Sequence, residues 1–315
     1  MLTEKGNVVV LGGTGFVGEH VCEAFARRGH EVVAVARSAP ERGRFLALDL
    51  TTVSAGELAT RLSEAAPAIV VNAVGSIWGG SAEDMVERCL TPTRRLLDAL
   101  ALMPGLPRLV HLGSVLEHTP DRPPGSPGPV PAQYAYGRAK AEATRLVLEA
   151  TAAGVVDGTV LRVANVAGPG SPEVSLLGRV ARELAASAAA ERGAVVELSL
   201  LKAYRDYVDV RDVAEAVVAT AAAPVSGEAF DIGRGHAVPV RLLVNLLIEA
   251  SGVRTRLIEQ ADRPAARAWH DWIEVDTGPA QRRLGWRPSR SLRESVDDFW
   301  EHTSGRPRAA LAPVH

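Results

Sequence analysis

Cysteine is nearly absent, with only Cys22 and Cys89 in 315 residues. Both fall inside helical patterns, which excludes a disulfide framework and gives no thiolate metal site, so no metal is expected. They read as packing residues in a reducing, cytoplasmic setting. No apolar run approaches the roughly 20 residues that a membrane-spanning helix needs, so no membrane partner is expected. An excess of one charge is missing too: 35 Lys and Arg face 37 Asp and Glu, for a formal net charge of −2. Such a chain has no overall basic field to attract nucleic acid or an anionic lipid surface. The opening MLTEKGN carries no apolar h-region, so a secretory leader is not expected. Hydrophobic residues are plentiful at 47%, enough at this length for a sizeable core in one large domain or two unequal ones.

Short Val/Ile/Leu runs alternate with longer amphipathic segments. NVVVLG (7–12), EVVAVAR (31–37), AIVVNAVG (68–75), RLVHLGS (108–114) and GTVLRVANV (158–166) read as strands. GFVGEHVCEAFARRG, SAGELATRLSEAA (54–66), DMVERCLTPTRRLLDALA (84–101) and YAYGRAKAEATRLVLEAT (134–151) read as the helices between them. Continuous apolar strands separated by helices predict an α/β fold, a doubly wound parallel sheet of the Rossmann kind with ligands at the carboxyl ends of its strands. After residue 170 the rhythm loosens into a smaller mixed C-terminal substrate lobe. The expected division is a dinucleotide-binding domain at 1–166, joined by 203–233, with 167–202 and 234–302 forming the substrate lobe and 303–315 a frayed tail. The proline-rich run at 117–133 reads as a stiff surface loop on the rim of the site.

The first strand breaks into GGTGFVG, placing Gly12, Gly15 and Gly18 between a strand and a helix at the start of a βαβ unit. There Gly12 permits a tight turn, Gly15 lets backbone approach a pyrophosphate, and Gly18 lets the helix pack against the strand. A carboxylate at the end of the second strand would hold a ribose 2′-hydroxyl, as NAD enzymes require; this chain has Ala36 there, followed by Arg37 and Ser38. A guanidinium and a hydroxyl suit a 2′-phosphate, so NADP(H) is expected over NAD. Arg37 has the alternative role of a solvated surface charge, and Asp49 those of adenine contact or helix cap.

Tyr136 and Lys140 are four residues apart on one helical face, 22 residues after Ser114 at a strand end. A phenol near pKa 10 is a poor acid or base, and a neighbouring ammonium is expected to lower that value. Ser114 would hydrogen-bond a substrate oxygen. Taken with LRVANVAGPG (161–170), AYRDYVDVRDVAEAV (203–217) and LGWRPSRSLRESV (284–296), these motifs resemble the extended short-chain dehydrogenase/reductases, the epimerase/dehydratase type. The run from GPGSPE to DVRDV is similar to the reductases of GDP-4-keto-6-deoxymannose. The resemblance implies that Tyr136 protonates a carbonyl oxygen, Lys140 holds the nicotinamide ribose and Ser114 polarises the carbonyl. It implies a dinucleotide site that also takes in Thr14, Phe16, Val17, Asp49, Leu50, Ala73, Val74, Gly75 and Val163. Asn165, Arg205 and Arg263 would bind the substrate, the arginines facing a diphosphate or else serving as surface ion-pair partners. Trp78, Trp269 and Trp272 would stack on a ring or pack in the core, and His111 would be a packed core residue.

Two departures sharpen the expectation. Sugar dehydratases carry an acidic pair just after the strand-end hydroxyl, where this chain has Val115 and Leu116, with Glu117 one position too late. Dehydration is therefore disfavoured. Ser199-Leu200-Leu201 replaces a Gly-Asn-Leu segment, which weakens the case for GDP. The expected activity is an NADPH-dependent ketoreductase acting on a 4-keto-6-deoxy nucleotide sugar or a specialised-metabolite ketone. Its alternatives are an NAD-dependent nucleotide-sugar epimerase and a non-catalytic dinucleotide sensor. The resemblance also allows a homodimer, since relatives often dimerise through the helices at about 84–101 and 134–151.

Overall fold

A computed structural model describes residues 6–38, 43–78, 81–118, 132–260 and 272–306. The chain begins β1 (Asn7–Leu11), α1 (Phe16–Ala26), β2 (Val32–Ala36), β3 (Arg44–Ala47), α2 (Ala55–Ala65) and β4 (Pro67–Asn72). It continues with α3 (Ala82–Cys89), α4 (Thr91–Ala101), β5 (Arg108–Ser114), a 3-10 turn (Val115–His118), α5 (Ala132–Ala152), β6 (Asp157–Val163) and β7 (Asn165–Ala167). Then come α6 (Leu176–Ala189), β8 (Ala194–Ser199), β9 (Tyr204–Asp209), α7 (Val210–Ala222), β10 (Ala229–Ile232) and β11 (Ala237–Pro239). The last elements are α8 (Val240–Ser251), β12 (Thr255–Gln260), β13 (Trp272–Ile273), α9 (Gly278–Leu284) and α10 (Leu292–Ser304). Among the described residues no helix is long and apolar enough to cross a membrane.

The described residues form two compact units, one drawn from 1–164, 211–232 and 276–287, the other from 165–210, 233–275 and 288–315. The first is a seven-stranded parallel sheet in the order β10-β6-β5-β4-β1-β2-β3. Its central strands are apolar on both faces because helices cover both: Val8 to Leu11 of β1 are all fully buried. On one face Leu58 and Leu62 of α2, Leu96 and Leu100 of α4 and Val147 of α5 close over Val9, Val33, Val70 and Leu109. Strand order reverses between β1 and β4, so the loops leaving these two strands diverge and open a crevice.

Two elements differ from the sequence expectation. The helix predicted over 84–101 breaks at Leu90 into α3 and α4, because Pro92 has no N–H to give the carbonyl of Arg88. The strand predicted over 158–166 is two strands. Beyond Val163 the Ala164 N–H donates to Ile232 at 2.8 Å, and β7 then pairs with β9 in a different sheet.

The second unit holds the mixed sheet in which β9 pairs with β11, β13 and β7, together with a parallel β12-β8 pair. Its core is helical: Leu177 and Leu184 of α6, Val244 and Leu247 of α8, and Phe299 and Trp300 of α10 are buried together. Within this unit Asp206 accepts from the Arg234 and Gly235 N–H groups at 2.7 and 2.8 Å, fixing the turn after β10.

Candidate active site

The loop leaving β1 is shaped by what glycine lacks. Gly12 turns with φ +77°, and a Cβ there would stand 3.0 Å from the Ala73 carbonyl oxygen. A Cβ on Gly18 would lie only 2.0 Å from the Gly12 carbonyl oxygen, so only glycine lets α1 approach the loop. Gly13, not singled out from the sequence, is as confined: a Cβ would meet Ala34 Cβ at 2.8 Å. Gly15 is the N-cap of α1 and gives it no side-chain cap, whereas α2, α3, α6 and α10 are each capped by a serine. The first turn of α1 thus keeps backbone N–H groups without a side-chain acceptor, between partly exposed Thr14, Phe16 and Val17. These groups fit the pyrophosphate of a dinucleotide.

At the end of β2, Ala36 is followed by exposed Arg37 and Ser38. Asp49 accepts from the Thr51 hydroxyl at 2.6 Å and the Thr51 N–H at 2.9 Å. These bonds, helped by the charge of nearby Arg37, hold its carboxyl below the usual range. Leu50 is buried, and its carbonyl accepts from Arg95 at 3.0 Å.

Ser114 ends β5 beside Val163, the last residue of β6. Its hydroxyl accepts from the Leu116 N–H at 3.2 Å and is hydrogen-bonded to the phenol of Tyr136. One turn further along α5, Lys140 is buried and donates to the carbonyl oxygens of Leu112 at 2.8 Å and Val74 at 3.0 Å. Gly75 (φ +131°) makes room for it, since a Cβ there would stand 2.9 Å from Nζ. Ala73 hangs from β1 through a bond to Leu11 at 3.0 Å, and Asn72 Oδ1 accepts from the Val74 N–H at 3.2 Å. The ends of β1, β4, β5 and β6 therefore converge on the glycine loop and the Ser114–Tyr136–Lys140 group. His111 is buried against Asn72 at 3.1 Å, and desolvation, reinforced by the charge of Lys140, holds it neutral.

One electrostatic expectation is corrected. The phenol of Tyr136 is not lowered but raised, chiefly by burial and also by the carboxylate of Glu117, with the Ser114 bond opposing them. The ammonium is spent on two backbone carbonyls, and burial lowers its own pKa. At neutral pH the phenol is a held proton, the form that protonates a carbonyl oxygen.

Linear spacing puts Glu117 one position too late to join an acidic pair, yet the 3-10 turn folds it back beneath the end of β5. Its Oε1 accepts from the Ser114 N–H at 2.7 Å and its Oε2 from Arg162 Nε at 3.1 Å. Cys89 is buried, and burial pushes the Cys22 thiol up to about 12, consistent with packing roles.

In the second unit Asn165 hydrogen-bonds Tyr207, and Arg205 donates to the Tyr204 carbonyl at 2.7 Å. Trp272 stacks on Tyr204 with ring centroids 4.8 Å apart. Core packing is not the role of Trp78 or Trp272, which are 42% and 57% exposed. Arg263, Trp269 and most of the proline-rich run lie outside the described residues. Among the described residues no cluster of His, Cys, Asp and Glu could hold a metal.

With this geometry in hand, the NAD dependent epimerase/dehydratase family matches residues 8–233. The chain belongs to that family. It is 39% identical over 316 residues to dTDP-6-deoxy-L-talose 4-dehydrogenase (NAD(P)(+)) of Kitasatospora kifunensis, with 98% of both chains covered. The solved structure of MoeE5 in complex with UDP-glucose and NAD is 27% identical, with a TM-score of 0.78 over 95% of this chain and 98% of that one. RMD from Pseudomonas aeruginosa, complexed with NADPH, shares the fold at 20% identity, with a TM-score of 0.75 over 96% of this chain and 100% of that one. This member of the family is an NAD(P)-dependent oxidoreductase of the extended short-chain dehydrogenase/reductase type.

Proposed function

We propose that the chain is an NADP(H)-dependent ketoreductase that reduces the C4 carbonyl of a 6-deoxyhexose carried on a nucleoside diphosphate. The observation that carries the reading is the Ser114–Tyr136 hydrogen bond at the end of β5, which sets a hydroxyl against a phenol that burial keeps protonated. The relative named for 4-dehydrogenation of dTDP-6-deoxy-L-talose supports position C4 and a deoxythymidine diphosphate carrier, since a dehydrogenase run backwards is a ketoreductase. Exposed Arg37 and Ser38, at a strand end without a carboxylate, support NADPH over NADH.

A bound nicotinamide dinucleotide supplies the hydride. The glycine loop and the first turn of α1 would hold its pyrophosphate, Arg37 and Ser38 its 2′-phosphate, and Lys140 its ribose. Tyr136 gives its proton to the carbonyl oxygen as that oxygen gains charge. The Ser114 hydroxyl, which accepts from the Leu116 N–H and bonds the phenol, would turn its hydrogen to the same oxygen when a carbonyl enters. Asn165, Arg205 and Arg263 would hold the sugar and diphosphate, and Trp78 would offer an exposed face to a ring.

The test mixes the purified protein with NADPH and a panel of dTDP-, GDP- and UDP-linked 4-keto-6-deoxyhexoses, alongside polyketide-like ketones. Stoichiometric loss of absorbance at 340 nm with a dTDP-linked ketone is expected. Conversion of a nucleotide sugar by retained NAD without net NADPH loss would make the protein an epimerase. Cofactor binding with no conversion of any kind would make it a sensor.

A further inference from the structure

We propose that Glu117, paired with Arg162, is a positioning residue that sets both the place of Ser114 and the charge facing Tyr136, an inference that rests on the ketoreductase reading. The carboxylate side chain is only 4% exposed and spans two elements: it accepts from the Ser114 N–H on one oxygen and from Arg162 Nε on the other. A buried carboxylate is costly unless each oxygen is answered, and here a backbone donor and a guanidinium answer them. The space is reserved for it. A Cβ on Gly113 would fall 2.3 Å from Glu117 Oε1, so any other residue at 113 would expel the carboxylate or distort the strand end.

The consequence for the site follows from position. Glu117 holds the backbone of the residue whose side chain meets the phenol, so its loss releases Ser114 at the N–H. Its negative charge also faces Tyr136 and Lys140 of α5, opposing loss of the phenolic proton and favouring the ammonium. The other groups around the phenol are Cys89 on α3 and Ser114 on β5. Behind the carboxylate, Arg162 on β6 also approaches Asp231 of β10 at 3.7 Å, and Asp231 in turn meets His118 at 3.1 Å. Glu117 is thus the inner end of a charge chain leading to a half-exposed histidine.

Two readouts separate this role from mere structure. The chain has four tyrosines, so the Tyr136 ring carbon can be assigned in 13C-tyrosine NMR by its loss in Tyr136→Phe. In Glu117→Gln the onset of phenol ionisation is expected to move to lower pH, with the Glu117→Asp onset close to wild type. The alkaline limb of kcat/KM for reduction should move the same way, because the protonated phenol is the active form. Coincident onsets for Glu117→Gln and wild type, or equal shifts for Gln and Asp, would overturn the proposal. If Glu117→Gln does not fold, Arg162→Gln is the second variant: the alkaline limb should move to higher pH as the carboxylate loses its counter-charge, and an unmoved limb overturns the proposal. Absence of turnover in the wild type would sink the ketoreductase reading alone, because the NMR titration needs no substrate.

Discussion

The ammonium of Lys140 stands 2.8 Å from the carbonyl oxygen of Leu112, one strand away from its other acceptor, Val74 at 3.0 Å. A buried charge with two fixed carbonyl partners has its direction set before any ligand arrives, which is what a group holding a ribose requires. Lys140→Met should fold, lose about 10²-fold or more in turnover and bind NADPH more weakly. Fluorescence titration with NADPH checks the second effect separately, and unchanged affinity would confine Lys140 to proton chemistry.

Tyr136→Phe should remove about 10²- to 10⁴-fold of the rate while leaving NADPH affinity intact, because only the proton donor is lost. The same variant carries a stability signature. The phenol titrates near 10.0 when unfolded and above that when folded. Over that interval the folded chain keeps a proton the unfolded chain has lost, so the phenol's contribution is full below pH 10 and fades as pH rises through the folded value. Lys140, held low, works in the opposite sense but is common to both proteins. Denaturant melts across this alkaline range should show wild type losing more stability than Tyr136→Phe.

Arg37→Ala should weaken NADPH binding by about 10- to 100-fold, the worth of a charge-assisted hydrogen bond or two, and leave NADH binding nearly unchanged. Parallel dissociation constants for the two cofactors measure this. Equal loss for both would mean that Arg37 does not meet the 2′-phosphate.

Gly18→Ala places a methyl where the Gly12 carbonyl oxygen already sits, at 2.0 Å. The loop or α1 must shift, which should cost about 1–3 kcal/mol of stability and most of the dinucleotide affinity. Gly15→Ala meets the same oxygen at 3.2 Å and should cost far less stability. Comparing the two melting temperatures decides whether the loop is confined as described.

Local spacing made the glycine loop, Ser114 and the Tyr136/Lys140 pair legible in the sequence, because each is written within one turn or one helix face. The Rossmann sheet was legible for a similar reason: its strands are unbroken apolar runs. What the sequence hid depended on partners far along the chain. The Val163–Asn165 run looks like one strand, and only the Ala164 bond to Ile232 shows where it leaves the sheet. Lys140 answers to backbone carbonyls, which carry no residue signature, so its spacing from Tyr136 does not show what its ammonium meets. Glu117 looked displaced by one position because linear spacing does not show a 3-10 turn folding a side chain back on its own strand. Size alone leaves Trp78 and Trp272 to a ring contact or to the core, and only the structure shows that both stand at the surface.

The central claim is that hydride passes to C4 of a 6-deoxyhexose while Tyr136 supplies the proton. Single-turnover reaction of a dTDP-4-keto-6-deoxyhexose with NADPH deuterated at the transferable C4 position tests it most directly. Deuterium should appear at C4 of the sugar, one atom per NADPH oxidised, and should vanish from the product of Tyr136→Phe over the same interval. A product without deuterium at C4, or one formed equally fast by Tyr136→Phe, would contradict the account.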